Sequence, residues 1–91
     1  MGRVDAFKLP GVQLWFYSSD HAPPHFHAKR SGEWEIRVYF LLPPSEMWEL
    51  KWTQPPSSGP KRKQLHQLVS LAERRRAELL LEWEAKVIHD E

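Results

Sequence analysis

Glu33-Trp34-Glu35-Ile36-Arg37-Val38-Tyr39-Phe40-Leu41-Leu42 decides the fold. Trp34, Ile36, Val38, Phe40 and Leu42 alternate with Glu35, Arg37, Tyr39 and Leu41, the period-2 pattern of a strand with one apolar and one polar face. Pro43-Pro44 stops it, because proline donates no ladder hydrogen bond. Upstream, Ser31-Gly32 is a short hairpin signal that joins this strand to a second one from His25 to Arg30. Farther upstream, 12–18 alternates again, with Val12, Leu14 and Phe16 against Gln13, Trp15 and Tyr17; Ser18-Ser19-Asp20 and Pro23-Pro24 make the turn that follows. Downstream, 47–53 sets Trp48, Leu50 and Trp52 against Glu49 and Lys51. Runs so closely spaced imply an antiparallel meander of three to four strands.

At 54–60 the Pro- and Ser-rich connector Gln54-Pro55-Pro56-Ser57-Ser58-Gly59-Pro60 breaks the pattern, with Ser58 or Gly59 placed to cap a helix and Pro60 in its first turn. From 61 to 88 the period becomes helical: Leu65, Leu68, Val69, Ala72, Leu79, Leu80, Trp83 and Val87 fall on one arc at about 100° per residue. The expected fold is therefore α+β, a small antiparallel sheet packed on one C-terminal amphipathic helix, in a single domain over 1–91 with its strand region at 12–53. Alternation predicts that Leu14, Phe16, Phe26, Ala28, Trp34, Ile36, Val38, Phe40, Trp48, Leu50 and Trp52 meet the helix, with Trp83 anchored on Trp34, Trp48 or Trp52. Trp15, Tyr17, His25, His27, Lys29, Glu35, Arg37, Tyr39, Glu49 and Lys51 take the other face. A one-residue bulge would reverse the assignment locally.

The chain's 91 residues bury only about 60–65% of the surface that the unfolded chain exposes, room for one modest core. It has no cysteine, which excludes disulfides and thiolate zinc sites. No apolar run approaches the ~20 residues that span a bilayer, and Met1-Gly2-Arg3-Val4-Asp5 does not begin a signal peptide, so a cytoplasmic protein with no membrane partner is expected. A net charge of +1 is too small to argue for nucleic acid by itself.

Function points to Asp20-His21-Ala22-Pro23-Pro24-His25-Phe26-His27, which holds three of the chain's five histidines. On an extended strand His25 and His27 project from the same face. Two such imidazoles can share a metal ion or work as an acid/base pair near neutral pH. The first candidate is a zinc site of His25 and His27 with His21 or Asp20 as third ligand, and one position left for a water that could attack an ester or phosphodiester. The second is metal-free cleavage of RNA, with His25, His27 and Arg37 as catalytic groups beside Glu35 and Tyr39. The third is nucleic-acid or anion binding at Lys29 and at Lys61-Arg62-Lys63, where three cations in a first helical turn oppose the helix dipole at ~0.3–1 kcal/mol each. The structural alternative has His21 and His25 bonded to turn carbonyls and His27 packed on Tyr17 or Tyr39. Arg76 lies inside the apolar arc and must snorkel, pair or face a partner.

With these residues placed, the chain resembles a small prokaryotic domain-of-unknown-function family, number four-one-six-zero. The resemblance rests on Ser19 through His27 after an aromatic first strand, and on Glu78-Leu79-Leu80-Leu81-Glu82-Trp83 near the chain's end. It implies the same fold and the same histidine segment, but no reaction. Members are often encoded beside another small domain, in an arrangement like toxin–antitoxin pairs. This implies an accessory or regulatory role with a protein partner or as a homodimer, with RNA a further candidate. Members also carry a histidine two turns before the helix tryptophan, where this chain has Arg75.

Overall fold

The computed structural model describes residues 2–87. Met1 and Ile88, which the expected domain and helix include, lie outside them. The fold is α+β: five antiparallel strands in the order β1-β2-β3-β4-β5, followed by two helices. The strands are β1 (Gly2–Arg3), β2 (Gln13–Phe16), β3 (Phe26–Arg30), β4 (Trp34–Val38) and β5 (Trp48–Thr53). The meander is as expected, but it has one more strand than the upper estimate. β1 is too short for alternation to reveal. It is held from a distance: Lys86 Nζ donates to Arg3 O at 2.6 Å, and Glu82 accepts from Asp5 N at 2.6 Å and Ala6 N at 2.8 Å.

The single expected helix is two, α1 (Arg62–Arg74) and α2 (Arg76–Lys86). Arg75 leaves helical geometry with φ −106° and ψ 20°, yet its N–H still reaches Leu71 O at 3.0 Å and its carbonyl accepts from Leu79 N at 2.9 Å. The i→i−4 ladder therefore runs through the break, and no glycine or proline marks it. The N-cap is Lys61, with no side-chain cap, rather than Ser58 or Gly59. No helix among the described residues is long and apolar enough to cross a membrane.

Leu68, Ala72, Leu79 and Trp83 of the helices share one core with Val4, Leu14, Phe16, Phe26, Ala28, Trp34, Ile36, Val38 and Phe40. Phe26 sits at its centre, with ring centroids 5.9 Å from Phe7, 6.4 Å from Phe16 and 6.3 Å from Phe40. Three residues expected there are elsewhere. Trp48 and Leu50 pair with Val38 and Ile36 but remain exposed, because β5 is an edge that the helices leave uncovered. Trp52 lies across from Glu35, because the β4–β5 register slips between Glu35 and Ile36. The slip sets Lys51 and Trp52 together against one residue, as a β-bulge does. Trp52 thereby joins the polar face, where its indole N–H donates to Glu35 Oε1 at 3.2 Å. Trp83 does not use Trp34, Trp48 or Trp52 as its ring partners. Its ring meets Phe16 at 6.3 Å and His25 at 5.5 Å.

Candidate metal centre

β2 ends in a turn that brings the Asp20 N–H to Tyr17 O at 3.2 Å, and Asp20 Oδ2 accepts the Tyr17 N–H at 3.1 Å. The aspartate side chain thus reaches three residues back to close its own turn. Here it aims the carboxylate over the start of β3. Asp20 Oδ2 lies 3.1 Å from His27 Nε2, and Oδ1 lies 3.6 Å from His25 Nε2. One donor atom from each of Asp20, His25 and His27 lies within 4.8 Å of the other two. The two carboxylate–imidazole separations bracket the edge of about 3.3 Å that zinc–ligand bonds of ~2.0–2.1 Å give a tetrahedron.

Both rings are gripped on all sides. His27 stacks on Trp15 at 5.7 Å and meets Tyr17 edge-on at 4.4 Å. His25 rests on Tyr39 at 5.1 Å and on Trp83. Phe26 and Ala28 face the core, as alternation requires. His27 is on the opposite face, but His25, just before β3, sits at the margin where α2 wraps round to touch it. Both histidines are buried, at 6% and 2% exposure, although among the described residues no helix or second sheet lies over His27.

Proton bookkeeping exposes a conflict. The Pro23 carbonyl can only accept, so His25 Nδ1, 2.8 Å away, donates to it. Neutral His25 then turns its Nε2 lone pair toward Asp20 Oδ1. His27 lies between two carboxylates: Asp20 on Nε2, and Glu35 Oε2 at 3.4 Å from Nδ1. One proton cannot serve both. With it on Nε2, His27 Nδ1 and Glu35 Oε2 are left buried without a hydrogen bond, which is how the structure has them. Lys51 Nζ, 3.1 Å from the same oxygen, offsets its charge without satisfying that geometry. Buried polar groups left so cost about 1–3 kcal/mol each. Burial, more than any other influence, pushes the His27 imidazole below its ordinary value, against the pull of Asp20. A second proton on the ring is disfavoured accordingly.

Asp20, His25 Nε2 and His27 Nε2 could hold a divalent cation, and one held there would remove the conflict. Each ring would then carry its single proton on Nδ1, donated to Pro23 O by His25 and directed toward Glu35 by His27. Metal-bound histidines are usually oriented in this way by a carbonyl or carboxylate behind them. The residues present therefore fit a zinc ion.

The other expected site residues fall outside this cluster. His21 is exposed and contributes no ligand atom to it. Arg37 pairs with His27 across the β3–β4 ladder, but its Nη1 donates to Glu49 Oε1 at 3.0 Å, and Tyr39 Oη donates to that oxygen at 2.6 Å. Lys29 is half-buried two residues along β3. Lys61, Arg62 and Lys63 are exposed at the start of α1. Arg75 is exposed and bound to Glu78 at 2.9 Å, away from the histidines. Arg76 snorkels: its Nε and Nη2 donate to the Phe40 and Leu42 carbonyls, both at 2.7 Å. Sequence reasoning missed Glu35 as the backing carboxylate and Lys51 as its charge partner. The alternation that puts Glu35 and Lys51 on the His27 face was the available signal for both; the β4–β5 register, which brings them together, was not.

A family model described as "Domain of unknown function (DUF4160)" matches residues 11–84. No curated protein and no solved structure matches the chain. The matched span runs from just before β2 to the last turn of α2 and includes Asp20, His25, His27, Glu35 and Trp83, so the chain belongs to the DUF4160 family.

Proposed function

We propose that this chain is a metal-dependent hydrolase of phosphoesters, RNA among them, with Zn²⁺ held by Asp20, His25 Nε2 and His27 Nε2. One observation carries the reading: two buried imidazoles share one carboxylate, while His27 Nδ1 and Glu35 Oε2 are left with a bond that the Nδ1–H tautomer, the one a metal on Nε2 would select, completes. Zinc on such ligands supplies Lewis acidity and, with an open position, a nucleophile at neutral pH. The chain's own part is to hold that set. Pro23 and Glu35 fix which nitrogen of each ring is free, Trp15, Tyr17, Tyr39 and Trp83 fix where the rings lie, and their apolar surfaces keep bulk water off all but one side. Arg37 stays with Glu49 and has no direct part in this reading.

The test is metal analysis of protein purified without a His-tag, followed by zinc titration of chelator-treated protein and hydrolysis of bis(p-nitrophenyl) phosphate. One zinc per chain is expected, and His25→Gln/His27→Gln should lose both zinc and hydrolysis while keeping the native circular dichroism spectrum. Glu35→Gln should weaken zinc by about 10–100-fold. Failure of chelator-treated wild type to take up zinc defeats the metal reading; undiminished hydrolysis by the double variant defeats the catalytic one.

An accessory or regulatory role beside a protein partner, as in a toxin–antitoxin pair of the cytoplasm, is the second reading. The edge strand β5 favours it, with Trp48 at 36% and Leu50 at 48% exposure on a strand that has a free ladder edge. Co-purification of the protein encoded alongside, lost in Leu50→Glu, would support it; a monomer unaffected by that neighbour would rule it out.

A further inference from the structure

We infer that a second site, beside the metal centre and independent of it, binds a nucleoside phosphate: the open cleft between the β1–β2 margin of the sheet and the 7–12 segment. The cleft measures about 950 Å³, within the size range of small-ligand sites. Arg3, Lys8 and Lys29 stand on its lining, and no carboxylate does. None of the three makes an ion pair among the described residues. Asp5, between Arg3 and Lys8 in the chain, feels both cations, but its carboxylate is taken by Lys86 Nζ at 2.6 Å.

Lys61, Arg62, Lys63 and Arg74 likewise make no ion pair among the described residues, and all four are exposed on α1 or at its start. Arg30, Arg37, Lys51, Arg75 and Lys86 each meet a carboxylate. Three unpaired cations thus line one concavity that carries no carboxylate, while Asp5 shares the Lys86 ammonium with Glu82; such a lining favours an anion. Behind them the wall is apolar and aromatic. Phe7 and Leu14 are nearly buried in it, and Trp15 lines it too. The Trp15 ring is held stacked on His27 and edge-on to Tyr17, at 5.5 Å, so it is a fixed plane rather than a mobile one. Its Nε1 is buried without an acceptor. Cations and a rigid indole on one lining suit a ligand with a phosphate at one end and a flat heteroaromatic ring at the other. The same chemistry comes from a free mononucleotide or from one unit of an RNA strand.

Calorimetric titration of the chelator-treated full chain with AMP, adenosine and inorganic phosphate tests the site apart from zinc, as does its repetition on His25→Gln, which leaves the His27 ring under Trp15 in place. AMP should saturate one site and bind at least about tenfold more tightly than adenosine or phosphate alone, falling with added salt. Lys8→Glu/Lys29→Glu should lose that binding with an unchanged melt, whereas Lys61→Glu/Lys63→Glu, an equal charge change at the start of α1, should not. Arg3→Glu repeats the first arm should the double variant fold poorly. An oligoadenylate that binds no better than AMP identifies the free nucleotide as the source, and one that binds at least about tenfold better identifies a strand. Equal binding of adenosine and AMP, or equal losses in the two lysine pairs, overturns the proposal. Loss of AMP binding from wild type alone on chelation would show that the cleft is not an independent site.

Discussion

The two faces of the sheet are both dry, for opposite reasons. On one, α1 and α2 lay Leu68, Ala72, Leu79 and Trp83 over Phe16, Phe26, Ile36 and Val38, and apolar area removed from water does the work. On the other, among the described residues only Trp83 of α2 reaches in, against His25, yet His25, His27 and Glu35 are as buried as core residues. There Trp15, Tyr17, Trp52 and the Lys51 stem roof over the ionisable groups. The first face would be stable with any well-packed apolar set. The second has desolvated charges that cost free energy unless each finds its partner. A fold that keeps such a face gives up stability there, and a bound cation is what would return it.

The largest effect should come from the one residue that touches both faces. Trp83 packs on Phe16 of the core and on His25 of the centre. Trp83→Ala should cost ~3–5 kcal/mol, a large part of the stability of a small domain, and should also loosen zinc binding. A melt close to wild type would break the idea that one side chain ties the faces together. Next comes zinc itself. At a free concentration of about 100 times Kd it should stabilise the chain by ~2.7 kcal/mol, about 10–20 °C in Tm for a domain of this size. Circular dichroism melts with zinc and with chelator, on wild type and on His25→Gln/His27→Gln, read this directly. The shift should appear in the first protein and vanish in the second. An equal melt of wild type with zinc and with chelator would mean that the polar face is kept by its hydrogen bonds alone.

The two faces were not equally legible in the sequence. Alternation identified β2 to β5 and all of the core from Leu14 to Phe40, because burial on a covered face selects apolar residues every second position. It failed at β5. Trp48 and Leu50 have the right period, but period does not say how far a helix reaches. Trp52 was reversed by a bulge that composition does not announce. β1 is invisible locally, since Lys86 and Glu82 hold it from the far end of the chain. The break at Arg75 left no glycine or proline to find. For the centre, His25, His27 and Asp20 were legible from spacing and the turn. His21 was not separable from them, because residues a few apart in a turn can point to opposite sides. Glu35 was on the right face but became meaningful only through the β3–β4 register.

A smaller effect sharpens the comparison at the edge of the covered face. Arg76 donates two hydrogen bonds to strand-end carbonyls, to Phe40 and Leu42. Charge-assisted bonds of this kind contribute ~1.5–3 kcal/mol each where they are dry, and the partly exposed Leu42 end is worth less. Arg76→Ala should therefore cost about 2 kcal/mol, read by urea midpoint. Arg76→Lys should recover only part of this, since an ammonium cannot span both carbonyls in one plane. Full recovery by lysine would show that charge near the helix start, rather than the fork of bonds, is what the site requires.

The smallest effect lies on the open face at the border of the centre, in the Arg37–Glu49–Tyr39 cluster, whose Tyr39 ring also rests on His25. Glu49 accepts from Tyr39 Oη and Arg37 Nη1, and these bonds hold its carboxyl below the ordinary value. A carboxyl depressed in the folded chain contributes stability above its unfolded pKa and loses it as pH falls through the folded one. Tyr39 is displaced the other way: burial first, then the bond to Glu49, raise its phenol. That contribution is complete below the unfolded phenol pKa and disappears as pH rises through the folded value. The cluster therefore adds stability across the neutral range and withdraws it at both ends. Glu49 is exposed and Arg37 and Tyr39 are only half-buried, so solvent screens the cluster and the sum should be only ~0.2–1 kcal/mol. Glu49→Gln should flatten the acid side of a Tm-against-pH profile, and Tyr39→Phe the alkaline side, while zinc affinity at neutral pH stays as in wild type. A loss of zinc in Glu49→Gln matching that of Glu35→Gln would place this cluster inside the metal centre rather than beside it, and would erase the line drawn here between charges the fold buries for a ligand and charges it leaves in water.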